Sequence, residues 1–366
     1  MRRRLRDLAG AGAIALLLCG CSAADYYWQS AHGEYEILAH AQPLDQAIAG
    51  TTDARLKERL QLAQQIREFA SQALGLPANG SYRRYSDLGR PFVIWNVFAA
   101  PRLSLKPHEW CYPVAGCVGY RGYFSEQQAR AEAASFKSAG DDVFIGGVPA
   151  YSTLGWFDDP ILSTFVRYPE TEFARLLFHE LAHQLLYVKG DTVFNESYAT
   201  ALSDEGLTRW IAAQPPPARA RLDAERARNE RLRGEFERLI AQARVQLATV
   251  YASDAPAAAK VLQKDAVFAA MRADYDSVKR GEPGLAGFDR WFAGYDNRGP
   301  NNASLASIAP YTQRVPAFRA LIADVHGDLA AFYARVRALA ALDKPARDAA
   351  LDALENPQRT HVTRAR

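Results

Sequence analysis

Apolar positions along this chain follow two rhythms, and the change from one to the other divides it. From Glu36 to Leu74 the apolar residues Leu56, Leu60, Ala63, Ile66 and Phe69 recur at helical spacing, and Gly75 and Pro77 end the run. Between Tyr82 and Ser152 the texture turns to short apolar bursts separated by Pro and Gly. Phe92-Val93-Ile94-Trp95-Asn96-Val97-Phe98 and Asp142-Val143-Phe144-Ile145-Gly146 predict strands, with a helix over Ser125 to Ser138 between them. From Pro169 onward the pattern is helical, over roughly 169–189, 194–212, 217–250, 256–280, 315–342 and 344–356.

A large helical mass behind a small sheet predicts an α+β, mainly α architecture. The expected organisation is an N-terminal helical segment over 21–80, a sheet and loop region over 81–168, and a helical region over 169–366. The last two are expected to form one compact unit. The 217–250 stretch is dense in Arg and Glu, which predicts a solvated helix laced with its own ion pairs rather than a basic patch. With 366 residues, 49% of them apolar, the chain can bury a substantial core. Lys and Arg number 44 against 41 acids, a net charge of +3, so nothing calls for nucleic acid or a strongly acidic substrate.

The first residues set the compartment. Arg2, Arg3, Arg4 and Arg6 precede an apolar run from Leu8 to Leu18, too short to span a hydrocarbon core of about 30 Å. Residues 1–20 therefore read as a secretory signal. The junction Leu18-Cys19-Gly20-Cys21 resembles the bacterial lipoprotein box. That resemblance implies cleavage before Cys21 and acylation of its thiol and new amino group, and two or more acyl chains suffice for stable anchoring. It places the protein in the bacterial cell envelope, facing the periplasm. Ser22 in place of an aspartate leans the choice towards the outer membrane. The alternative is an ordinary signal with an incidental cysteine. In an oxidising compartment Cys111 and Cys117, with Pro113 and Gly116 between them, predict a disulfide closing a tight loop. A metal pair is the other option, but no second Cys or His pair flanks them at ligand spacing.

The chemistry concentrates in Phe178-His179-Glu180-Leu181-Ala182-His183, which fits the His-Glu-x-x-His motif of zinc peptidases. Histidines four apart lie one helical turn apart, so both imidazoles can reach one cation. With His179 at zero, His183 falls at about 40° and Glu180 at about 100°, while Phe173, Leu177, Leu181, Leu185 and Val188 fall between roughly 120° and 240°. The helix can thus bury one side and present the other to a metal. The plainer alternative is two histidines on a solvated face. Catalytic zinc usually takes three protein ligands and keeps one open position. Gly190 ends the first helix, a second begins near Asp191, and an antiparallel return brings Glu196 beside the histidines. Its rivals as third ligand are Asp204 and Glu205.

A His-Glu-x-x-His helix followed by Asn195-Glu196 resembles the glutamate-zincin peptidases. The chain more closely resembles a family of proteobacterial lipoproteins described as predicted aminopeptidases. The stretches that carry this are 110–117, Tyr120-Arg121-Gly122-Tyr123-Phe124, 147–164, the zinc helix, Asn301-Asn302-Ala303 and the helix after Val315-Pro316. The resemblance implies a zincin-like helical core, a Zn²⁺ cofactor and hydrolysis of peptides, with Glu180 as general base. Related enzymes add a Tyr or His that donates to the developing oxyanion, for which Tyr311 is the first candidate and Tyr198 and His326 are rivals. Two features depart from the glutamate-zincin pattern. Glu196 follows His183 by only 13 positions, which requires a tight turn. The stretch Gly146-Gly147-Val148-Pro149-Ala150 lacks the carboxylate with which zinc aminopeptidases hold the free amine, although its backbone can still serve as a sheet edge. The aminopeptidase expectation therefore rests on the family description, and an endopeptidase is the alternative. A competing function is a non-catalytic envelope lipoprotein that keeps a peptidase fold for binding or assembly. The intact Glu180 argues against it.

Overall fold

The computed structural model describes residues 24–112, 116–308 and 313–355. Cys21, with the signal before it, and Tyr311 lie outside these residues.

The N-terminal helical stretch is broken twice. Helix α1 covers residues 24–40, α2 covers Leu44–Gly50 and α3 covers Ala54–Gln72. Strand β1, Gln42–Pro43, interrupts the first junction, and Asp53 caps α3 by accepting from Leu56 N at 3.0 Å. α3 buries Leu60, Ala63, Ile66 and Ala70 along one stripe, as its spacing predicts. It also buries Arg67, whose guanidinium donates to the carbonyls of Ser81 (2.7 Å) and Pro77 (2.6 Å) and so fixes the turn after the helix.

Short strands follow: β2 Arg84–Ser86, β3 Ile94–Ala100, β4 Trp110–Tyr112, β5 Gly116–Val118 and β6 Arg121–Tyr123. Helix α4, Glu126–Ser138, leads to β7, Asp142–Val148, and β8, Ile161–Leu162. The order β6-β3-β7 forms an antiparallel sheet with Trp95 opposite both Tyr123 and Gly147. Ala129 and Ala133 of α4 pack with Trp95, Val97, Val143 and Ile145 over one face of it. Smaller sheets join β1-β2-β8 and β4-β5.

The helical part comprises α5 Glu170–Leu185, α6 Thr192–Ala212, α7 Pro216–Ala252 and α8 Ala257–Gly281. A 3-10 turn over Pro283–Phe288, α9 Asp289–Ala293 and α10 Asn302–Ile308 follow, and then α11 Val315–Asp324, α12 Leu329–Ala340 and α13 Lys344–Glu355. One helix over 315–342 is therefore replaced by two. His326 and Gly327 take φ of +52° and +77°, and Asp328 caps α12 through Ala330 N (2.9 Å) and Ala331 N (3.2 Å). α7 carries the expected internal ion pairs, among them Arg238–Glu235 at 3.0 Å and Arg226–Asp223 at 3.3 Å. Its Leu232, Phe236, Leu239 and Leu247 pack against Phe268, Met271 and Tyr275 of α8 as a second core. The main core joins α3, α5, α6, α11 and α12 around Ile66, Phe173, Phe178, Tyr198, Phe318 and Phe332.

Candidate metal centre

α5 and α6 build the site between them. Phe173, Ala174, Leu177, Phe178, Leu181 and Ala182 bury one side of α5, leaving His179, Glu180 and His183 towards a cleft of about 670 Å³. The return into α6 takes only residues 186–191, and its backbone is held on both sides of one residue. Asn195 accepts from Val188 N at 2.8 Å and donates to Val188 O at 2.8 Å. Gly190 supplies a φ of +75°. Asp191 caps α6 through Phe194 N at 3.2 Å, and its buried carboxylate accepts from Arg347 Nε (3.0 Å) and Nη2 (2.8 Å) on α13.

This closure brings Glu196 against the histidines. Its Oε2 lies 3.2 Å from His179 Nε2 and 3.7 Å from His183 Nε2, and the two imidazole nitrogens are 3.2 Å apart. A point about 2 Å from all three atoms sits at the centre of that triangle, matching zinc–nitrogen bonds of about 2.0–2.1 Å and zinc–oxygen bonds of about 2.0–2.2 Å. The donor set of two imidazoles and a carboxylate could hold a metal ion.

Electrostatics agree with that geometry. Burial lowers the pKa of His179 against an opposing hydrogen bond from Glu196, which favours the neutral ligand form. At His183 burial is the largest influence and pulls the same way, but the charge of Glu196, its hydrogen bond and the charge of Glu180 together outweigh it and the net shift is upward. Burial works to raise Glu196, yet the two histidines hold it well below the usual carboxylate range. Among the described residues His183 Nδ1 is buried with no hydrogen-bond partner. Glu180 is different. It makes no hydrogen bond among the described residues, lines the cleft, and is pushed up to about 7 by burial, with Glu196 and Asp159 adding to the shift and His183 opposing it. A carboxylate with that affinity for a proton suits proton transfer near neutral pH.

A family model described as "Putative aminopeptidase" matches residues 25–351. The chain belongs to this family. Neither a curated protein nor a solved structure matches it. Membership in the aminopeptidase family supports a peptidase-like activity on peptide substrates. β7 is an edge strand, and Val148, Pro149 and Ala150 line the cavity where that edge ends, with the carbonyls of Val148 and Pro149 accepting from Val93 N (2.9 Å) and the Thr164 hydroxyl (2.6 Å).

The other sequence candidates fall elsewhere. Asp204 pairs with Arg319 at 2.7 Å, and Glu205 with Arg209 at 2.8 Å, so neither joins the histidines. Tyr198 is buried between Phe318 and Phe332 in the main core. His326 lines a neighbouring cavity by α11, which shares Thr200, Arg233 and Glu237 with the cleft but holds none of the three candidate ligands. Asn301 and Asn302 are structural clamps, Asn301 donating to Val143 O at 2.9 Å and Asn302 to Arg102 O at 3.1 Å.

Tyr120, which sequence reasoning did not single out, lines the cleft with the three candidate ligands and Glu180. The disulfide Cys111–Cys117 staples β4 to β5, as expected from the sequence. Gly116 then presses on the α5–α6 turn so closely that an added Cβ would lie 2.5 Å from Gly190 N. Tyr120 follows two residues after β5 and rests against Phe98, with ring centroids 5.6 Å apart. Burial, with the charges of Glu196, Tyr187 and Glu180, raises its phenol well above the ordinary range and keeps it a proton donor. Its only signal in the sequence was its place in Tyr120-Arg121-Gly122-Tyr123-Phe124.

Proposed function

We propose that the chain is a zinc-dependent peptidase, acting as an aminopeptidase and tethered in the bacterial envelope through an acylated Cys21, on the periplasmic side of the outer membrane. The observation that carries the proposal is the triangle of His179, His183 and Glu196 with an unengaged Glu180 beside it. The aminopeptidase assignment draws on the family description.

His179, His183 and Glu196 hold Zn²⁺, which in such a site polarises a scissile carbonyl and lowers the pKa of water. Glu180 takes a proton from the attacking water and delivers it to the leaving amine. Tyr120 donates its hydroxyl hydrogen to the carbonyl oxygen as negative charge develops there.

Purified protein should contain one zinc per chain. Glu180→Gln keeps the size and removes the basicity, so zinc should remain while hydrolysis of aminoacyl amides falls by about two to four orders of magnitude. Loss of zinc with Glu180→Gln would make the carboxylate a ligand. Full activity with zinc retained would place the base elsewhere. A chain free of zinc and inactive throughout favours the non-catalytic binding role.

A further inference from the structure

Among the described residues, the exposed large aromatics fall in two places. Tyr27, Trp28 and Tyr35 lie on α1, and Trp156 and Phe157 lie in the turn before β8. α1 is seated by its inner face alone: Gln29 accepts from Phe124 N at 3.0 Å, Gly33 lies against Phe124, and Ile37 joins the main core. Its outer face runs Trp28, Ala31, His32, Tyr35 and Ala39, all exposed, with the Trp28 ring stacked on His32. Trp28 and Tyr35 are seven residues apart, two helical turns, and so share one side. Lys and Arg are absent from α1; the exposed acids Asp25 and Glu36 border the stripe, Glu36 lying 3.3 Å from His32, and the stripe itself presents mainly aromatic and small side chains. The turn bearing Trp156 is bound to the same helix, since Tyr151 donates to Glu34 and packs edge-on against Phe124.

Residues next to both places border the candidate site. Tyr26 and Ser30 of α1, and Tyr151, Ser152 and Leu154 of the turn region, line the cleft. The chain ahead of α1 says what meets this surface. Ala24 follows Cys21 by three positions, and an extended chain covers at most about 3.6 Å per residue, so an acyl group on Cys21 keeps the helix start within about 11 Å of the bilayer. Trp28 lies about 6 Å further along α1. Tryptophan and tyrosine favour the headgroup region, where a ring can sit among acyl carbons while its polar atom stays hydrated.

We propose that Trp28, Tyr35, Trp156 and Phe157 form a bilayer-contacting surface that holds the cleft rim at the membrane interface. The surface rests on the acylation of Cys21 proposed above. It turns a tether into an orientation, so the site acts on chain ends presented at the membrane surface.

The test uses the full-length acylated protein in vesicles of phosphatidylethanolamine with a minority of phosphatidylglycerol, their acyl chains either plain or brominated. Bromine quenches tryptophan on contact. Trp28 and Trp156 are 72% and 73% exposed, whereas Trp95 and Trp210 are 8% and 4% exposed and serve as internal references. Brominated vesicles should reduce the protein's emission. Trp28→Phe and Trp156→Phe should each remove part of that loss, and the double variant nearly all of it. An acylated protein that floats with the vesicles but is quenched equally by plain and brominated lipid overturns the surface and leaves the tether standing. So does a loss that survives the double variant. A chain whose mass shows no acyl group overturns the tether and this surface with it.

Discussion

Replacing Asn195 with alanine should loosen the metal centre without touching a ligand. Asn195 is buried, and its side chain satisfies both the N–H and the C=O of Val188 at 2.8 Å, across the turn that carries Glu196 back to the histidines. Each hydrogen bond contributes about 0.5–1.5 kcal/mol net, so Asn195→Ala should cost about 1–3 kcal/mol. If that cost falls on the geometry the metal requires, binding must restore the turn, and one tenfold change in affinity corresponds to about 1.4 kcal/mol. Metal affinity should then drop by roughly five- to 150-fold, close to the 10–100-fold typical when a supporting interaction around a metal is lost. Competition with a chelating dye reads the affinity, and urea unfolding of the metal-free protein reads the stability. A variant that loses the expected stability but binds zinc as tightly as the parent would refute the reasoning. The turn would then be a folding device, and Glu196 would be held by something else.

The remaining predictions concern the two groups flanking Glu180. Asp159 is buried and pushed up to about 6, chiefly by burial, with hydrogen bonds from Thr153, Gln184 and Ser152 opposing the shift. A carboxyl held above its unfolded value stabilises the fold fully below pH about 4 and loses that contribution as pH rises to about 6, a difference of about 3 kcal/mol. Urea midpoints between those pH values should show the decline, and Asp159→Asn should flatten it; an equal slope in both proteins assigns the effect to other groups. Tyr120→Phe should lower kcat by about 10²- to 10³-fold with KM and zinc content nearly unchanged, because the hydroxyl acts on charge that develops only in the transition state. An unchanged kcat would remove Tyr120 from the reaction.

What the sequence made legible is what local geometry encodes. His179 and His183 converge because a helical turn demands it, and the apolar stripe of α5 states which side faces inward. Glu196 was reachable because a short connection between helices folds back on itself. The helix boundaries that differ are also local. Pro43, the Asp53 cap, and the pair Gly327-Asp328 each break a run that apolar periodicity alone carries through. Periodicity measures what a segment buries, and it is blind to where the backbone changes direction.

The residues that tune the site are of another kind, because their roles depend on segments meeting from far along the chain. Gln184, next to His183, receives Asn79 Nδ2 at 2.8 Å and donates to Asp159 Oδ2 at 3.1 Å, so the loop that Arg67 fixes also positions Asp159, which adds to the effect of burial on Glu180. Asp191 in the α5–α6 turn is neutralised by Arg347 from α13, near the far end of the described chain. No spacing rule links these pairs, since each is decided by how the elements pack. Tyr120 shows the limit most clearly. A phenol two residues beyond a disulfide hairpin is an ordinary surface tyrosine until Gly116 docks on Gly190, a contact that a side chain at position 116 would prevent. The proton acceptor proposed here can therefore be read from the helix that carries it, whereas the proposed donor becomes visible only when the hairpin closes over the turn.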